Sequence, residues 1–342
     1  MRLHLRQSLL RQPREIMLCT LPAHSRRKTM SSKQYGKPES GERLLALIKA
    51  AKTGAPLRTA IVHPVDELSL AGAINAAREG LITPIFVGPR AKIDAAAASN
   101  AHNIADFEIV DVPHSHAAAE TAVALIRDGR ADALMKGALH TDEVMGAVVP
   151  RATGLRTERR MSHVFVMDTP AYRKLLFITD AAINIAPSLG DKQDIVQNAI
   201  DLAKALEVKT PKVAILSAVE TVEPKLQSTL DAAALCKMAD RGQIRGGALD
   251  GPLAFDNAIS PEAAKTKGIV SDVAGDADIL VAPNLEAGNF IAKELDYLAG
   301  AVAAGIVMGA SAPIMLTSRA EGMISRTASA AIAKLYRRAQ EQ

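Results

Sequence analysis

The sequence predicts an α/β protein: mainly parallel sheets covered by helices on both faces, organised as two α/β/α lobes. Short β-rich apolar runs alternate with stretches of helical spacing along most of the 342 residues. The alternation is interrupted once, by the polar, turn-forming run Pro150-Arg151-Ala152-Thr153-Gly154-Leu155-Arg156. Apolar residues make up 48% of the chain and charged residues 23%. That balance fills a sizeable core and excludes disordered, fibrous and disulfide-stapled chains.

The elements follow in order. After Gly41, residues 42–49 have helical spacing, 59–63 form a β-rich run, and 67–78 form a helix closed by Gly80 at the C′ position. Residues 83–87, 107–112 and 131–135 are further strands, with a helix over 115–127 between the last two. This βαβα order is that of a parallel sheet, whose ligands gather at the carboxyl ends of the strands. Beyond the break, the runs 163–167 and 174–178 lie too close for a crossover and are read as a hairpin. Alternation resumes with a helix over 192–206, a strand over 213–216, a helix over 225–239, a strand over 279–282 and a helix over 289–298. A strand over 313–317 and a helix over 323–338 are expected to return to the first sheet. The lobes are then residues 30–150 with 309–342, and residues 151–308. The 21 residues from Leu298 to Ser318 carry no charge, the length of a bilayer span. Gly300, Gly305, Gly309, Pro313 and an Ala-rich composition fit buried elements joined by a tight turn instead.

Of 41 Lys and Arg and 37 Asp and Glu, seven and one fall in residues 1–29, leaving 34 and 36 in the rest. The basic character therefore belongs to an Arg-rich leader or extension, and the body is nearly neutral. Only ten aromatic residues occur and Trp is absent, so neither nucleic acid nor a membrane is an expected partner. The two cysteines, Cys19 and Cys236, fit no disulfide or thiolate metal site and suit a reducing cytoplasm. His114-Ser115-His116 lacks a third ligand and reads as a solvated helix start, so no metal is expected. His63, His140 and His163, at strand ends or within apolar runs, read as satisfied structural histidines.

Four segments carry candidate chemistry. Met135-Lys136-Gly137 ends a strand before Thr141 and Asp142, with Lys136 as a phosphate cation and Thr141 or Asp142 as helix cap. Asp250 and Asp256 flank a Gly-Pro turn, read as a turn-forming loop that no regular element requires. Asn284, Gly288 and Asn289 lie where a strand passes through small residues into a helix N-terminus, whose N–H groups favour an anion. Thr317-Ser318-Arg319 ends a strand with a hydroxyl beside a guanidinium, suited to a phosphate oxygen, or else with a helix cap and a surface Arg. No Walker A loop, no Gly-x-Gly-x-x-Gly after a strand and no Gly-x-Ser-x-Gly elbow is present.

The order and spacing of loops 250–258, 274–278, 283–289 and 316–319, with Thr83-Pro84-Ile85-Phe86-Val87-Gly88 and Met135-Lys136-Gly137, resemble the phosphate acetyl/butyryltransferase family. The resemblance runs from about residue 42 to 334. It implies reversible acyl transfer between coenzyme A and inorganic phosphate, with coenzyme A as a substrate and no bound cofactor. It also implies two lobes like those of isocitrate and isopropylmalate dehydrogenases, a cleft between them that holds the site, and a homodimer. By the same resemblance Ser318 and Arg319 are the catalytic pair and the loop from Asn284 to Asn289 lines the cleft. Acetyl members place an Asp as thiol base seven residues after the Ser, where this chain has Ser325. Glu321 resembles the acid of butyryl-type members and becomes the base candidate. Residues 141–148 also lack the Arg of acetyl members, so both departures lean to the butyryl branch or to relaxed short-chain specificity. Two other readings fit less: a metal- and NAD-dependent decarboxylating dehydrogenase using Asp250 and Asp256, and a non-catalytic coenzyme A or acyl-phosphate binding module.

Overall fold

A computed structural model describes residues 41–317 and 321–341. Residues 1–29 lie outside the described residues, as do Ser318 and Arg319. The chain opens with α1 (Glu42–Ala51), β1 (Leu57–Val62), α2 (Glu67–Arg78), β2 (Ile82–Gly88), α3 (Arg90–Ser99) and β3 (Glu108–Asp111). It continues through α4 (Ser115–Arg127), β4 (Ala133–Lys136) and α5 (Thr141–Val148) to the hairpin β5 (Ser162–Asp168) and β6 (Leu176–Thr179). Next come α6 (Leu189–Ala205), β7 (Lys212–Leu216), α7 (Gln227–Asp240), β8 (Ala248–Leu253), α8 (Phe255–Ile259) and α9 (Pro261–Thr266). β9 (Ile279–Val281), α10 (Leu285–Tyr297), β10 (Val302–Met308), β11 (Ile314–Met315) and α11 (Met323–Gln340) complete it.

Among the described residues the strands form one mixed, mostly parallel sheet in the order β3-β2-β1-β4-β11-β10-β5-β6-β9-β7-β8. Its two flanks are parallel blocks, and the antiparallel pairings are confined to β11-β10, β10-β5 and β5-β6. An odd number of reversals separates the blocks, so β9 runs opposite to β4 and β11. One register row crosses the centre through Met135, Met315, Ile306, Val164, Thr179 and Val281. β4, β11 and β9 all end on or one residue past this row, and that placement creates the site.

Alternation of side chains puts this row into one large core with Leu44, Leu70, Phe86, Phe177 and Ile332. α11 seals that face. It is buried from Ser325 to Leu335, and its run of Ala and Ser lets it approach the sheet closely. The opposite face divides into two cores, one around Leu134, Leu139, Ile314 and Leu316, the other around Phe165, Met167 and Ile178.

The hairpin and the return of the last strand to the first block stand as expected. The charge-free run after Leu298 is the buried strand β10, a turn, and β11. Two readings change, and α3 is an element left unassigned in sequence. Residues 249–258 are no loop: they form edge strand β8 and the start of α8, and an edge tolerates Pro252 because no neighbour needs its missing N–H. α5 is capped from His140, one residue before Thr141, and Glu143 reaches back to accept from the His140 N–H at 3.1 Å. α3 shows no apolar stripe in sequence because it buries only Ile93 and Ala97.

Candidate active site

The strand ends enclose two adjoining cavities. The first, of about 270 Å³, lies between the two cores of the second face and is lined by Lys136, His140, Thr141, His163, Asn289, Lys293 and Thr317, with Leu139, Phe165 and Leu316 as apolar walls. The second is a more apolar groove of about 540 Å³, lined by Tyr297, Val302, Glu321, Met323, Ile324 and Ser325. Lys293 lines both.

Lys136 is the last residue of β4 and is only 4% exposed. The following turn is pinned to β1 by Gly137 N–H donating to Val62 O at 2.9 Å and Ala138 N–H to His63 O at 3.0 Å. Gly137 is required there, because a Cβ would sit 2.3 Å from Val62 O. Thr141 is the first residue of α5 and reaches the same cavity.

α10 supplies the other wall. Asn284 is its cap, accepting from Ala287 N–H at 2.9 Å, and Leu285 N–H donates to Ile185 O at 3.1 Å. Two first-turn donors that the sequence reading offers to an anion are therefore already taken, and the cavity is lined further along the helix. Gly288 packs against β6's exit: a Cβ would lie 2.4 Å from Asp180 O and 3.2 Å from Ala181 Cα. This close seat lets Asn289 Nδ2 donate to Ala181 O at 3.1 Å and places Lys293, one turn on, along the same face.

His163 is fully buried on β5, its ring edge-on to Phe165 at 4.4 Å between centroids. Nε2 donates to Leu316 O at 3.4 Å, and Gly305 leaves the room, since a Cβ there would lie 2.9 Å from Nε2. Burial lowers the pKa more than the Asp180 carboxylate raises it, so the ring is neutral. Its Nδ1 has no hydrogen-bond partner among the described residues, so this histidine is buried as expected but not satisfied.

Thr317 and Glu321 are 4% and 7% exposed and stand on the cavity and the groove. Between them in the chain come Ser318, Arg319 and Ala320. Ser325 is buried at the groove wall. Asp250 and Asp256 are not brought here. Asp250 lies on edge strand β8, six strands from β11, roughly 29 Å across the sheet. Asp256 faces Lys267 at 3.5 Å. Of the sequence candidates, Lys136, Thr141, Asn289 and Glu321 gather at the paired cavities, while Asn284 and Gly288 shape the helix that lines them. Lys293 was missed, although its i+4 spacing from Asn289 is visible in sequence.

The mixed, mostly parallel α/β sheet is shared with phosphotransacylases of known structure. The structure matches a branched-chain phosphotransacylase from Enterococcus faecalis V583 with a TM-score of 0.71 at 29% identity, covering 82% of this chain and 99% of that one. A phosphotransacetylase from Streptococcus pyogenes matches with a TM-score of 0.74 at 23% identity over 88% and 99%, a likeness of fold alone. In sequence, residues 114–334 match the profile described as phosphate acetyl/butaryl transferase. The phosphate acetyltransferase of Rhizobium meliloti is 63% identical over 290 residues, 85% of this chain and 92% of the relative. The phosphate butyryltransferase of Clostridium acetobutylicum is 43% identical over 289 residues, 84% and 96%. The chain belongs to the phosphate acetyl/butyryltransferase family.

Proposed function

We propose that this protein moves a short-chain acyl group, acetyl to butyryl, reversibly between coenzyme A and inorganic phosphate where the two cavities meet. The observation that carries the reading is Lys293, shared between a polar cavity that also holds Lys136 and an apolar groove that ends at Glu321. The polar cavity suits the phosphoryl group of the acyl phosphate, and the groove suits the acyl chain with the thiol-bearing arm of coenzyme A. Arg319 neutralises the phosphate, and Ser318 hydrogen-bonds the reacting thiol or carbonyl oxygen. A free thiol is mostly protonated at neutral pH, so Glu321 takes its proton. The thiolate attacks the acyl carbon, the carbon–oxygen bond to phosphate breaks, and phosphate leaves as the thioester forms.

The cavity draws Lys136, Thr141 and Thr317 from the proposed lobe 30–150 with 309–342, and His163, Asn289 and Lys293 from 151–308. This supports a cleft between lobes on the plan of isocitrate and isopropylmalate dehydrogenases. No resident cofactor is proposed. A homodimer in the cytoplasm completes the reading; no helix among the described residues is long and apolar enough to cross a membrane. Each added methylene in the groove is worth about 0.8 kcal/mol, so chain-length preference rests on small differences in depth.

The test is phosphate-dependent release of free thiol from acetyl-, propionyl- and butyryl-CoA, with Arg319→Ala and Glu321→Gln alongside. Turnover lost by orders of magnitude in Arg319→Ala supports the site, and unchanged turnover removes it. Full activity in Glu321→Gln removes the base. Coenzyme A binding without turnover by the unaltered protein points to a binding module.

A further inference from the structure

We infer that Arg326 is a positioning residue for acyl transfer: its buried guanidinium holds Thr317, the residue that precedes Ser318 and Arg319 in the chain. The inference deepens the acyl-transfer reading and rests on it.

Arg326 lies in the second turn of α11 and is 4% exposed. Its Nη1 donates to Thr317 Oγ1 at 3.2 Å. The carboxylates of Glu321 and Asp66 both act on its charge, opposing the burial that disfavours it. Asp66 is itself fixed as the cap of α2, accepting from Ser69 N–H at 2.8 Å. One cation thus addresses the wall of the polar cavity through its hydrogen bond to Thr317, with the Asp66 and Glu321 carboxylates acting on its charge.

The space it occupies is cut into the neighbouring helix. A Cβ on Gly72 of α2 would lie 2.7 Å from Arg326 Cδ and 3.3 Å from its Cβ. The side chain is therefore confined between α2 and the strand end instead of swinging free. The planar guanidinium, fixed at its stem, has directed N–H groups for a hydroxyl and for carboxylates, which a lysine ammonium does not reproduce. A purely structural role would be served better by an apolar residue in this Ala-rich helix, because a buried charge is expensive to keep. Its hydrogen-bond partner Thr317 lines the polar cavity, and a shift of about 1 Å in such a residue lowers turnover by about a hundredfold.

The experiment compares wild type, Arg326→Met, Arg326→Lys, Gly72→Ala and Arg319→Ala by kcat, by KM for acyl-CoA and for phosphate, and by melting temperature. Arg326→Met is expected to lose kcat by about a hundredfold with both KM values within threefold, and Arg326→Lys to recover only part of it. Gly72→Ala keeps every hydrogen-bonding group yet forces the side chain to move, and is expected to lose kcat by about tenfold. Should Arg326→Met fail to fold, Gly72→Ala decides. Retention of wild-type kcat within twofold in folded Arg326→Met or in Gly72→Ala, whatever the melting temperature, overturns the inference. If that happens while Arg319→Ala is crippled, only the role of Arg326 falls. Absence of phosphate-dependent turnover in wild type overturns the acyl-transfer reading and this inference with it.

Discussion

Gly288→Ala tests whether the seat of α10 on the exit of β6 positions the cavity wall. The added Cβ would stand 2.4 Å from Asp180 O, short of ordinary contact by about 1 Å. The backbone it meets is braced, since the Asp180 carboxylate accepts from Ala182 N–H at 2.9 Å and Ile183 N–H at 3.0 Å. The helix has to give, and a retreat of about 1 Å moves Asn289 and Lys293 with it. Overpacking of this kind costs about 1–3 kcal/mol, offset by up to about 1 kcal/mol from the better helix propensity of Ala. The expected outcome is a melting temperature lower by a few degrees and kcat/KM lower by about a hundredfold. Gly146→Ala is the matched control, because nothing lies within 4 Å of its added Cβ in α5. It should stabilise by about 0.5–1 kcal/mol with activity unchanged. Thermal melts and phosphate-dependent thiol release read both. If Gly288→Ala melts and turns over like wild type while Gly146→Ala behaves as stated, the close approach does not set the cavity wall.

Lys192 and Asp231 form a buried ion pair at 2.6 Å between α6 and α7. Lys192→Met should cost about 3–5 kcal/mol in urea unfolding by stranding the carboxylate, and adding Asp231→Leu should recover most of it; a double variant no better than the single one refutes this. His163 stays neutral when folded, whereas in the unfolded chain it takes up a proton near pH 6.5. Stability therefore falls as pH drops below about 6.5, by up to about 1.4 kcal/mol per pH unit from this residue, and His163→Gln should flatten that slope between pH 6.5 and 5. Parallel slopes in the two proteins count against it. At Asp276, burial pushes the carboxyl up, but hydrogen bonds and charge from Lys212 and Lys174 outweigh it and leave it at about 2. Its stabilisation is complete above about pH 4 and is lost as pH falls through about 2. Asp276→Asn should thus cost about 1–2 kcal/mol at pH 7 and only a few tenths of a kcal/mol at pH 2, and a pH-independent difference excludes the mechanism.

The residues themselves determined the alternation of strands and helices, the hairpin at 163–178 and the return of the last strand, because each rests on local apolar spacing and short-range geometry. They also carried the family, since its loops keep their order along the chain, and they named Lys136, Thr141, Asn289 and Glu321 as strand-end or helix-start chemistry. They did not show β8 or β10 as strands. Gly251-Pro252 reads as a turn until an edge position excuses it, and Val302–Met308 has too much Ala and Gly to alternate visibly. Only the tertiary structure decided that Asp250 stands at the far edge and Lys293 at the centre. Only it decided that β9 ends on the same row as β4 and β11 from the opposite direction. Arg326 likewise looks like a surface residue until α11 is found buried along most of its length. The physical reason is that a residue's own backbone and side chain set its local conformation. Strand direction, register and burial are set by pairings between segments far apart in the chain, and the site is made of those pairings.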